Sequence, residues 1–208
     1  MTPVTDALLH TLETSPRARL LDPLHWVYTV DGVLDAAECR EWIARTEALG
    51  YGAAPITTWL GPVMRPEVRD NTRVMLDDPA VADWLWGRLQ PWVPAQLDGE
   101  VAVGLNERLR FYRYEPGQKF DWHTDGYFRR DAREASKLTV LLYLGEGCEG
   151  GATEFASFLE VGPVRPEPGR ALVFLHPIEH RGAPVRAGRK YVMRTDVMYR
   201  EPPYGLEA

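Results

Sequence analysis

Residues 170–199 read RALVFLHPIEHRGAPVRAGRKYVMRTDVMY and contain three short apolar or alternating runs. The runs are Arg170–Leu175, Glu179–Val185 and Tyr191–Tyr199, and Pro and Gly residues lie in the connections. Short runs bounded by Pro and Gly are typical of β-strands joined by turns. This end of the chain therefore predicts consecutive strands of a β-structure.

Five similar runs precede this stretch, at Leu105–Tyr114, Phe120–His123, Leu138–Leu144, Thr153–Phe155 and Leu159–Val164. Eight short strands in fewer than a hundred residues indicate a jelly roll or a related closed double sheet. We therefore predict a mostly β fold, a double-stranded β-helix (jelly-roll or cupin-like) barrel over residues 105–200.

The first hundred residues have a more helical pattern. Helical spacing of apolar residues occurs at Pro3–Thr14 and Asp35–Leu49, where Asp35 and Glu38 form a capping-box pattern. A third helix is predicted to begin at Asp77 or Asp78, before Pro79. We expect one domain over 1–208, with a helical and variable front part, 1–100, whose helices pack on one sheet of the barrel.

The overall composition narrows the possible partners. The chain has 208 residues and a formal net charge of −6, which argues against a nucleic-acid binder because such proteins usually carry a basic stripe. No apolar run is long enough for a membrane span, and the N-terminus lacks a secretory signal pattern. Cys39 and Cys148 follow no metal-binding spacing. We expect a cytoplasmic protein without a membrane or nucleic-acid partner.

The segment Phe120–Asp–Trp–His–Thr–Asp–Gly126 contains a candidate metal motif. In a strand, His123 and Asp125 point to the same side, and the flanking Trp122 is expected to face the core. Two imidazoles and one carboxylate on one face of an iron form the facial triad of non-haem Fe(II) oxygenases, which leaves positions open. The pair alone is weak evidence, because a surface His–Asp pair has the same spacing.

The later part of the chain offers a third ligand and a cation. His180 is followed by a Pro/Gly turn and then by a strand that opens at Lys190. We expect the two strands to be antiparallel neighbours, so that Lys190 lies in the same barrel as His180. A buried cation is costly without an anionic partner, and a dicarboxylate co-substrate supplies one.

A lead-in segment before His123 completes the pattern. Tyr112 and Tyr114 share a strand face, and a Pro-Gly turn returns the chain towards His123. Three motifs occur together: Y-x-x-G-x-x-F-x-x-H-x-D from Tyr114 to Asp125, the segment Gly150–Gly–Ala–Thr–Glu–Phe155, and His180 with a cation ten residues later. With this combination, residues 105–200 resemble the prolyl 4-hydroxylase-like branch of the 2-oxoglutarate/Fe(II) oxygenases.

The resemblance implies a set of site residues. His123, Asp125 and His180 would bind Fe(II) and form the catalytic centre, and Lys190 would pair with the distal carboxylate of 2-oxoglutarate. Tyr114 matches a tyrosine that hydrogen-bonds the co-substrate, and Tyr143 matches a second polar position. Some relatives use an arginine as the anchor, so Arg189 is the alternative, although strand parity and spacing favour Lys190. Arg194 is either a second anchor or the partner of Asp196.

The resemblance also implies a reaction, in which a C–H bond is hydroxylated with O2 while 2-oxoglutarate gives succinate and CO2. L-Ascorbic acid is expected as a further cofactor. The substrate would be a peptidyl residue such as proline, an amino acid or another small metabolite. The alternative from another class is a non-catalytic, cupin-like module that binds a metal or a small molecule. Alkylated nucleic acid is disfavoured as a target by the acidic charge. The sequence does not determine the oligomeric state.

The variable front part contains Trp59, Arg65, Arg69, Asn71 and Arg73, and in the related enzymes such a segment often covers the mouth of the barrel. Arg69 and Arg73 either hold a substrate carboxylate or peptide backbone, or belong to a solvated basic stretch that pairs with Asp70, Asp77 and Asp78. The sequence leaves both interpretations open.

Overall fold

The chain folds into a mostly antiparallel β-structure with three helices. The structure is a computed structural model, and it describes residues 3–58 and 61–202. The helices are α1 (Pro3–Thr14), α2 (Ala36–Leu49) and α3 (Pro79–Leu89), with short 3-10 helices at Gln90–Trp92 and Ser157–Leu159. The strands are β1 (Ala18–Asp22), β2 (Val27–Val30), β3 (Gly52–Ala53), β4 (Ile56–Thr58), β5 (Gly61–Val63), β6 (Thr72–Asp77), β7 (Gln96–Leu97), β8 (Glu100–Leu105), β9 (Arg108–Tyr114), β10 (Phe120–His123), β11 (Glu134–Tyr143), β12 (Glu149–Gly150), β13 (Thr153–Phe155), β14 (Ala171–Leu175), β15 (His180–Gly182), β16 (Val185–Ala187) and β17 (Lys190–Arg200).

Two sheets face each other across the barrel. The major sheet has the order β1-β2-β14-β11-β17-β9-β6-β3, with β8 and β7 attached beside β17. The minor sheet has the order β10-β15-β13, and β12 pairs with β16. This arrangement confirms the predicted mostly β, double-stranded β-helix fold with few helices.

Alternation along the central strands separates two environments. On β17, Tyr191, Met193 and Val197 belong to the large apolar core, whereas the intervening Val192 belongs to a second apolar cluster. The same period-2 pattern divides β9, β11 and β14, because successive side chains of a strand point to opposite faces. The outer face of the major sheet packs against the helices, and the inner face points into the barrel.

The helices cover the outer face as the sequence predicted. Asp35 and Glu38 form the predicted capping box at the start of α2, and the Asp78 side chain caps α3. The ring of Trp42 on α2 stacks on Phe111 of β9 with 5.4 Å between ring centroids. No helix in the described part of the chain is both long and apolar enough to cross a lipid bilayer.

The front part contains more strand than expected. The strand β2 is buried and pairs with β14, and β6 pairs with β9 along six residues. A four-residue apolar run is too short for its periodicity to distinguish a strand from a helix. Each of these strands is held between two partners in the major sheet, β2 between β1 and β14 and β6 between β3 and β9.

Two predictions about the second half were also wrong. Leu159–Val164 is not a strand, because Pro163 has no amide hydrogen to donate and Glu160 adopts a left-handed φ of 52°. The strands of His180 and Lys190 are not neighbours: β15 pairs with β10 and β13, whereas β17 pairs with β8, β9 and β11. The connection crosses from one sheet to the other through β16, so His180 and Lys190 face each other across the barrel.

The large apolar core between the helices and the major sheet provides a test of stability. Leu142 is fully buried, and its replacement by Ala removes apolar contacts and leaves a cavity. We expect Leu142→Ala to lower the free energy of unfolding by about 2–5 kcal/mol in urea denaturation. The matched Leu24→Ala change, at a side chain that is 83% exposed, should alter it by less than about 0.5 kcal/mol. Equal effects would contradict the assignment of Leu142 to the core.

Candidate active site

Three predicted ligands meet where the two sheets approach each other. His123 ends β10 and pairs directly with His180, which begins β15. Asp125 follows two residues after His123, and one ligand atom from each of the three lies within 4.8 Å of the others. The distances from Asp125 are 3.9 Å (Oδ1) to His123 Nε2 and 3.7 Å (Oδ2) to His180 Nε2. Two imidazoles and one carboxylate thus converge on one point.

Both imidazoles are oriented for metal binding. The Nδ1 of His123 lies 2.7 Å from the Asp121 carbonyl oxygen, and the Nδ1 of His180 lies 2.9 Å from the Ile178 carbonyl oxygen. A carbonyl accepts only from a protonated nitrogen, so each Nε2 carries a free lone pair. Burial lowers the pKa of His123 to about 3 and also lowers that of His180. Both rings are therefore neutral near pH 7, as metal ligation requires.

Asp125 is buried and held by two groups. The Nη1 of Arg194 forms an ion pair with Oδ1 at 2.6 Å, and the Thr139 hydroxyl donates a hydrogen bond to Oδ2 at 2.7 Å. Burial alone would raise the pKa of Asp125, but the Arg194 charge, the two imidazoles and Thr139 outweigh it and lower that pKa. The carboxylate is thus ionised. Together with the neutral imidazoles, it fits a divalent cation with mixed nitrogen and oxygen ligands.

A chain of hydrogen bonds extends behind Asp125. Because Thr139 donates to Asp125, its oxygen accepts from the Nδ1 of His176 at 2.8 Å. The Nε2 of His176 then accepts from the Ser136 hydroxyl at 2.8 Å, and Ser136 accepts from the Phe128 amide. His176 is therefore a buried link that fixes Thr139.

Lys190 lies at the inner end of the same cavity. It begins β17 opposite Tyr114, and only 4% of it is exposed. Its Nζ lies 5.1 Å from the Tyr114 ring centroid and 5.7 Å from that of Tyr143, and no described carboxylate lies within ion-pair distance. Burial lowers the pKa of Lys190 to about 8. A buried ammonium without an anionic partner fits the carboxylate of an incoming ligand.

The surroundings of Lys190 leave room for that ligand. A Cβ added at Gly182 would lie 3.8 Å from both the Lys190 Nζ and the Tyr114 hydroxyl. The narrow cavity in front of these groups is also lined by His123, Asp125 and His180. A molecule with a chelating end and a distal carboxylate can therefore contact the metal ligands and Lys190 together. The residues present fit 2-oxoglutarate.

The alternative anchor and the two tyrosines have different positions. Arg189 is on the outside, where its Nε lies 2.9 Å from Glu115 Oε1. Tyr114 lines the cavity, and the Tyr143 hydroxyl bonds to the Thr153 hydroxyl at 2.8 Å. The geometry therefore favours Lys190 over Arg189 as the anchor.

A second, wider cavity adjoins the metal ligands from the other side. Its volume is about 480 Å³, and both predicted substrate residues, Arg69 and Arg73, line it. Trp59 lies outside the described residues. Trp122 was expected in the core but is 40% exposed and lines this cavity, because its strand lies at the rim of the minor sheet.

Several functional candidates had little or no signal in the sequence. Thr139, His176 and Arg110 occupy unremarkable positions in strands or turns. For Arg194 the sequence left two roles open, and the structure shows ion pairs to Asp125 and Asp196. Alternation along the predicted strand placed Arg194 on the same face as Lys190, but the contact of Arg194 with Asp125 depends on how the two sheets approach each other.

Comparison with protein families supports the class that this site defines. Residues 109–195 match the family model described as the 2OG-Fe(II) oxygenase superfamily. The matched segment includes His123, Asp125, His180 and Lys190. This segment is therefore a 2OG-Fe(II) oxygenase domain, and the protein is a dioxygenase; the matched family implies Fe(II), 2-oxoglutarate and O2. No curated protein sequence matches it.

Similar solved structures include several prolyl hydroxylases. A prolyl-4-hydroxylase from Pseudomonas putida is 21% identical, with a TM-score of 0.62 over 96% of this chain and 100% of that one. The viral collagen prolyl hydroxylase of Paramecium bursaria Chlorella virus-1, solved with 2OG, is 17% identical, with a TM-score of 0.57 over 91% of this chain and 98% of that one.

A prolyl hydroxylase from Trichoplax adhaerens, solved with a peptide fragment of the hypoxia inducible factor oxygen degradation domain, is 16% identical. Its TM-score is 0.64 over 93% of this chain and 88% of that one. At these identities the neighbours establish the shared fold. Together with the family match, they confirm the prolyl 4-hydroxylase-like resemblance inferred from the sequence.

The hydrogen bond from Thr139 gives a test of the site. Thr139→Val removes the donor to Asp125 while keeping the side-chain shape. We expect Mn(II) affinity to fall about 10–100-fold, as when outer partners of metal ligands are removed, measured from the EPR signal of free Mn(II). The control Thr46→Val removes a buried hydroxyl that bonds to Trp42 in α2, and it should leave Mn(II) affinity unchanged. A normal affinity for Thr139→Val would show that Asp125 needs no such support.

Proposed function

We propose that this protein hydroxylates a C–H bond of its substrate, converting R–H, O2 and 2-oxoglutarate into R–OH, succinate and CO2. The supporting observation is that one cavity is lined by three convergent ligands and by a buried lysine that has no acidic partner within residues 3–58 and 61–202. Iron(II), when bound with 2-oxoglutarate and O2, supplies the oxidising chemistry. The chain supplies position, charge and exclusion of water.

Each residue has a separate proposed role. His123, Asp125 and His180 would hold Fe(II), because one ligand atom from each converges on the same point. Lys190 pairs with the distal carboxylate of 2-oxoglutarate, and Tyr114 donates a hydrogen bond to the same group. Burial raises the pKa of Tyr114 to about 12, so its hydroxyl remains a donor at neutral pH. Tyr143 and Thr153 close the wall behind Lys190.

The substrate and setting form a further part of the proposal. The similar structures include prolyl hydroxylases, one of them solved with a peptide, so a peptidyl residue, an amino acid or a small metabolite is the proposed substrate class. Ascorbate is proposed as the accompanying reductant. The two cysteines, Cys39 and Cys148, are free, which is consistent with the reducing cytosol.

The co-substrate site is tested first without turnover. Anaerobic apoprotein is titrated with Fe(II) and then 2-oxoglutarate, and the weak visible charge-transfer band of the chelate is followed. We expect a band in the wild type and no band in His180→Ala, which lacks one ligand. Lys190→Ala should bind Fe(II) normally but need at least about tenfold more 2-oxoglutarate, because a charge-assisted contact is lost.

The control for that titration is Arg189→Ala, which removes a neighbouring cation on the outside of the barrel and should titrate as the wild type does. If Arg189→Ala weakened 2-oxoglutarate binding and Lys190→Ala did not, the anchor would be Arg189. A wild type that binds iron without forming the band would be a metal-binding module rather than an oxygenase.

The pKa of Lys190 gives the co-substrate affinity a pH dependence. Below about pH 8 the Lys190 side chain of the free protein is a charged ammonium. Above this pH Lys190 is neutral, so it must take up a proton when the 2-oxoglutarate dianion binds. We expect the Kd of 2-oxoglutarate for the Mn(II)-loaded protein to rise between pH 7.5 and 9.5, by up to about tenfold per unit, in calorimetric titrations. Lys190→Arg remains charged over this range, so its Kd should stay flat. An equal slope in both proteins would assign the dependence to another group.

A further inference from the structure

The wider cavity beside the metal ligands carries an excess of positive charge. Four arginines line it, namely Arg69, Arg73, Arg110 and Arg194, whereas Asp125 is the one acidic residue among its described lining residues. The cavity also shares His123, Asp125 and Arg194 with the narrow cavity that ends at Lys190. Its position therefore matches the substrate side of the metal site.

Two of these arginines are already neutralised. Arg194 lies between Asp125 and Asp196, and Arg110 donates from Nη1 to Asp196 Oδ2 at 3.1 Å. Asp196 also accepts from Asn106, so this buried carboxylate is fully engaged. Arg110 and Arg194 thus form part of the built-in charge network.

The other two arginines have no carboxylate partner in the described chain. Arg69 is only 5% exposed; its Nε donates to Asn71 at 2.7 Å, and its guanidinium carbon lies over the Tyr112 and Phe120 rings. Its buried Nη2 has no hydrogen-bond partner among the described residues. Burial without compensation is costly for such a group, so an anion from outside would stabilise it.

Arg73 extends the same positive surface. It lies on β6 opposite Tyr112, on the sheet face that carries Arg110 one row further along. Burial, followed by the charges of Arg69, Arg110 and Arg108, lowers the pKa of Arg73 although Tyr112 opposes this. The acids beside it in sequence are engaged elsewhere: Asp70 accepts from the Lys119 amide, Asp77 pairs with Arg108, and Asp78 caps α3.

We propose that the substrate carries a carboxylate, which Arg69 and Arg73 bind while the C–H bond to be hydroxylated lies over the metal ligands. This inference rests on the proposed function and specifies its substrate. A guanidinium pairs well with the two oxygens of a carboxylate. The backbone inside a peptide offers only neutral amides, so we assign this carboxylate to a small free acid or to the C-terminal residue of a chain. The aromatic rings of Phe120 and Trp122 provide an apolar wall for the rest of the molecule.

The test measures binding beside the metal rather than turnover. Protein loaded with Mn(II) and saturating 2-oxoglutarate receives N-acetyl-L-proline or its neutral amide, and paramagnetic broadening of the probe's NMR lines reports its approach to Mn(II). An acetylated pentapeptide ending in proline, as acid and as amide, forms the second arm. Saturating 2-oxoglutarate occupies Lys190, so a probe carboxylate must find another cation.

We expect the acid to bind at least about tenfold more tightly than the amide in one of the two arms. The arm that shows this preference identifies the substrate as a small free acid or as the C-terminal residue of a chain. Arg73→Gln and Arg69→Gln should each abolish that preference. Because Arg73 is only half-buried, Arg73→Gln remains a valid test if the Arg69 variant does not fold. Arg186→Gln, at an exposed arginine on β16, is the control and should retain it.

Two results would overturn the inference. One is equal broadening by acid and amide in both arms, and the other is a preference that survives in Arg73→Gln. The charge-transfer band of the Fe(II)–2-oxoglutarate chelate in the same protein distinguishes a failure of this inference from a failure of the proposed function. If the band forms and the acid is not preferred, only the carboxylate inference fails, whereas a missing band refutes the proposed function itself.

Discussion

The two-residue alternation of β17 between its neighbours β9 and β11 is the constraint on which the rest of the structure depends. One face of this central ladder places Tyr191, Met193 and Val197 against the helices. The other face places Lys190, Val192 and Arg194 inside the barrel. A shift of one residue would exchange the faces, burying charges in the apolar core. The hydrophobic core therefore fixes the register that also builds the site.

Charge is organised in pairs across this inner face. Asp196 neutralises Arg110 and Arg194, and Arg194 and Thr139 together hold Asp125 in place. The cations without a carboxylate partner among the described residues lie at two separate ends, Lys190 in the narrow cavity and Arg69 with Arg73 in the wider one. Since the metal ligands lie where the cavities meet, the same barrel can present two anions to one centre from opposite sides. This division of charge explains how co-substrate and substrate would be kept apart.

The hydrogen-bond chain from Phe128 through Ser136, His176 and Thr139 to Asp125 adds rigidity to this arrangement. Each hydroxyl in it accepts one bond and donates another, so the direction of every proton is defined. His176 is buried, and its pKa is lowered to about 4, chiefly by burial. It therefore stays neutral over the physiological range, and the chain keeps its orientation.

Local patterns in the sequence determined a large part of this protein. Most of the short runs predicted strands of the barrel, and the Asp35–Glu38 pattern predicted the start of α2. The His-x-Asp spacing identified two ligand candidates close together in the chain, with His123 at the end of β10 and Asp125 just beyond it. These features follow from geometry within a few residues, which the sequence states directly. The same reasoning failed for β2 and β6, because each pairs with a strand that is distant in sequence, β2 with β14 and β6 with β9.

Only the tertiary structure decided the remaining contacts of the site. His180 and Lys190 belong to different sheets, and Thr139, His176 and Arg194 reach Asp125 through strand pairings between distant parts of the chain. Contacts between residues distant in sequence likewise decide which arginines form ion pairs. Arg108 pairs with Asp77, whereas Arg69 and Arg73 have no carboxylate partner in the described chain. Sequence spacing determines which face a side chain occupies, but the packing of the two sheets determines what it meets there.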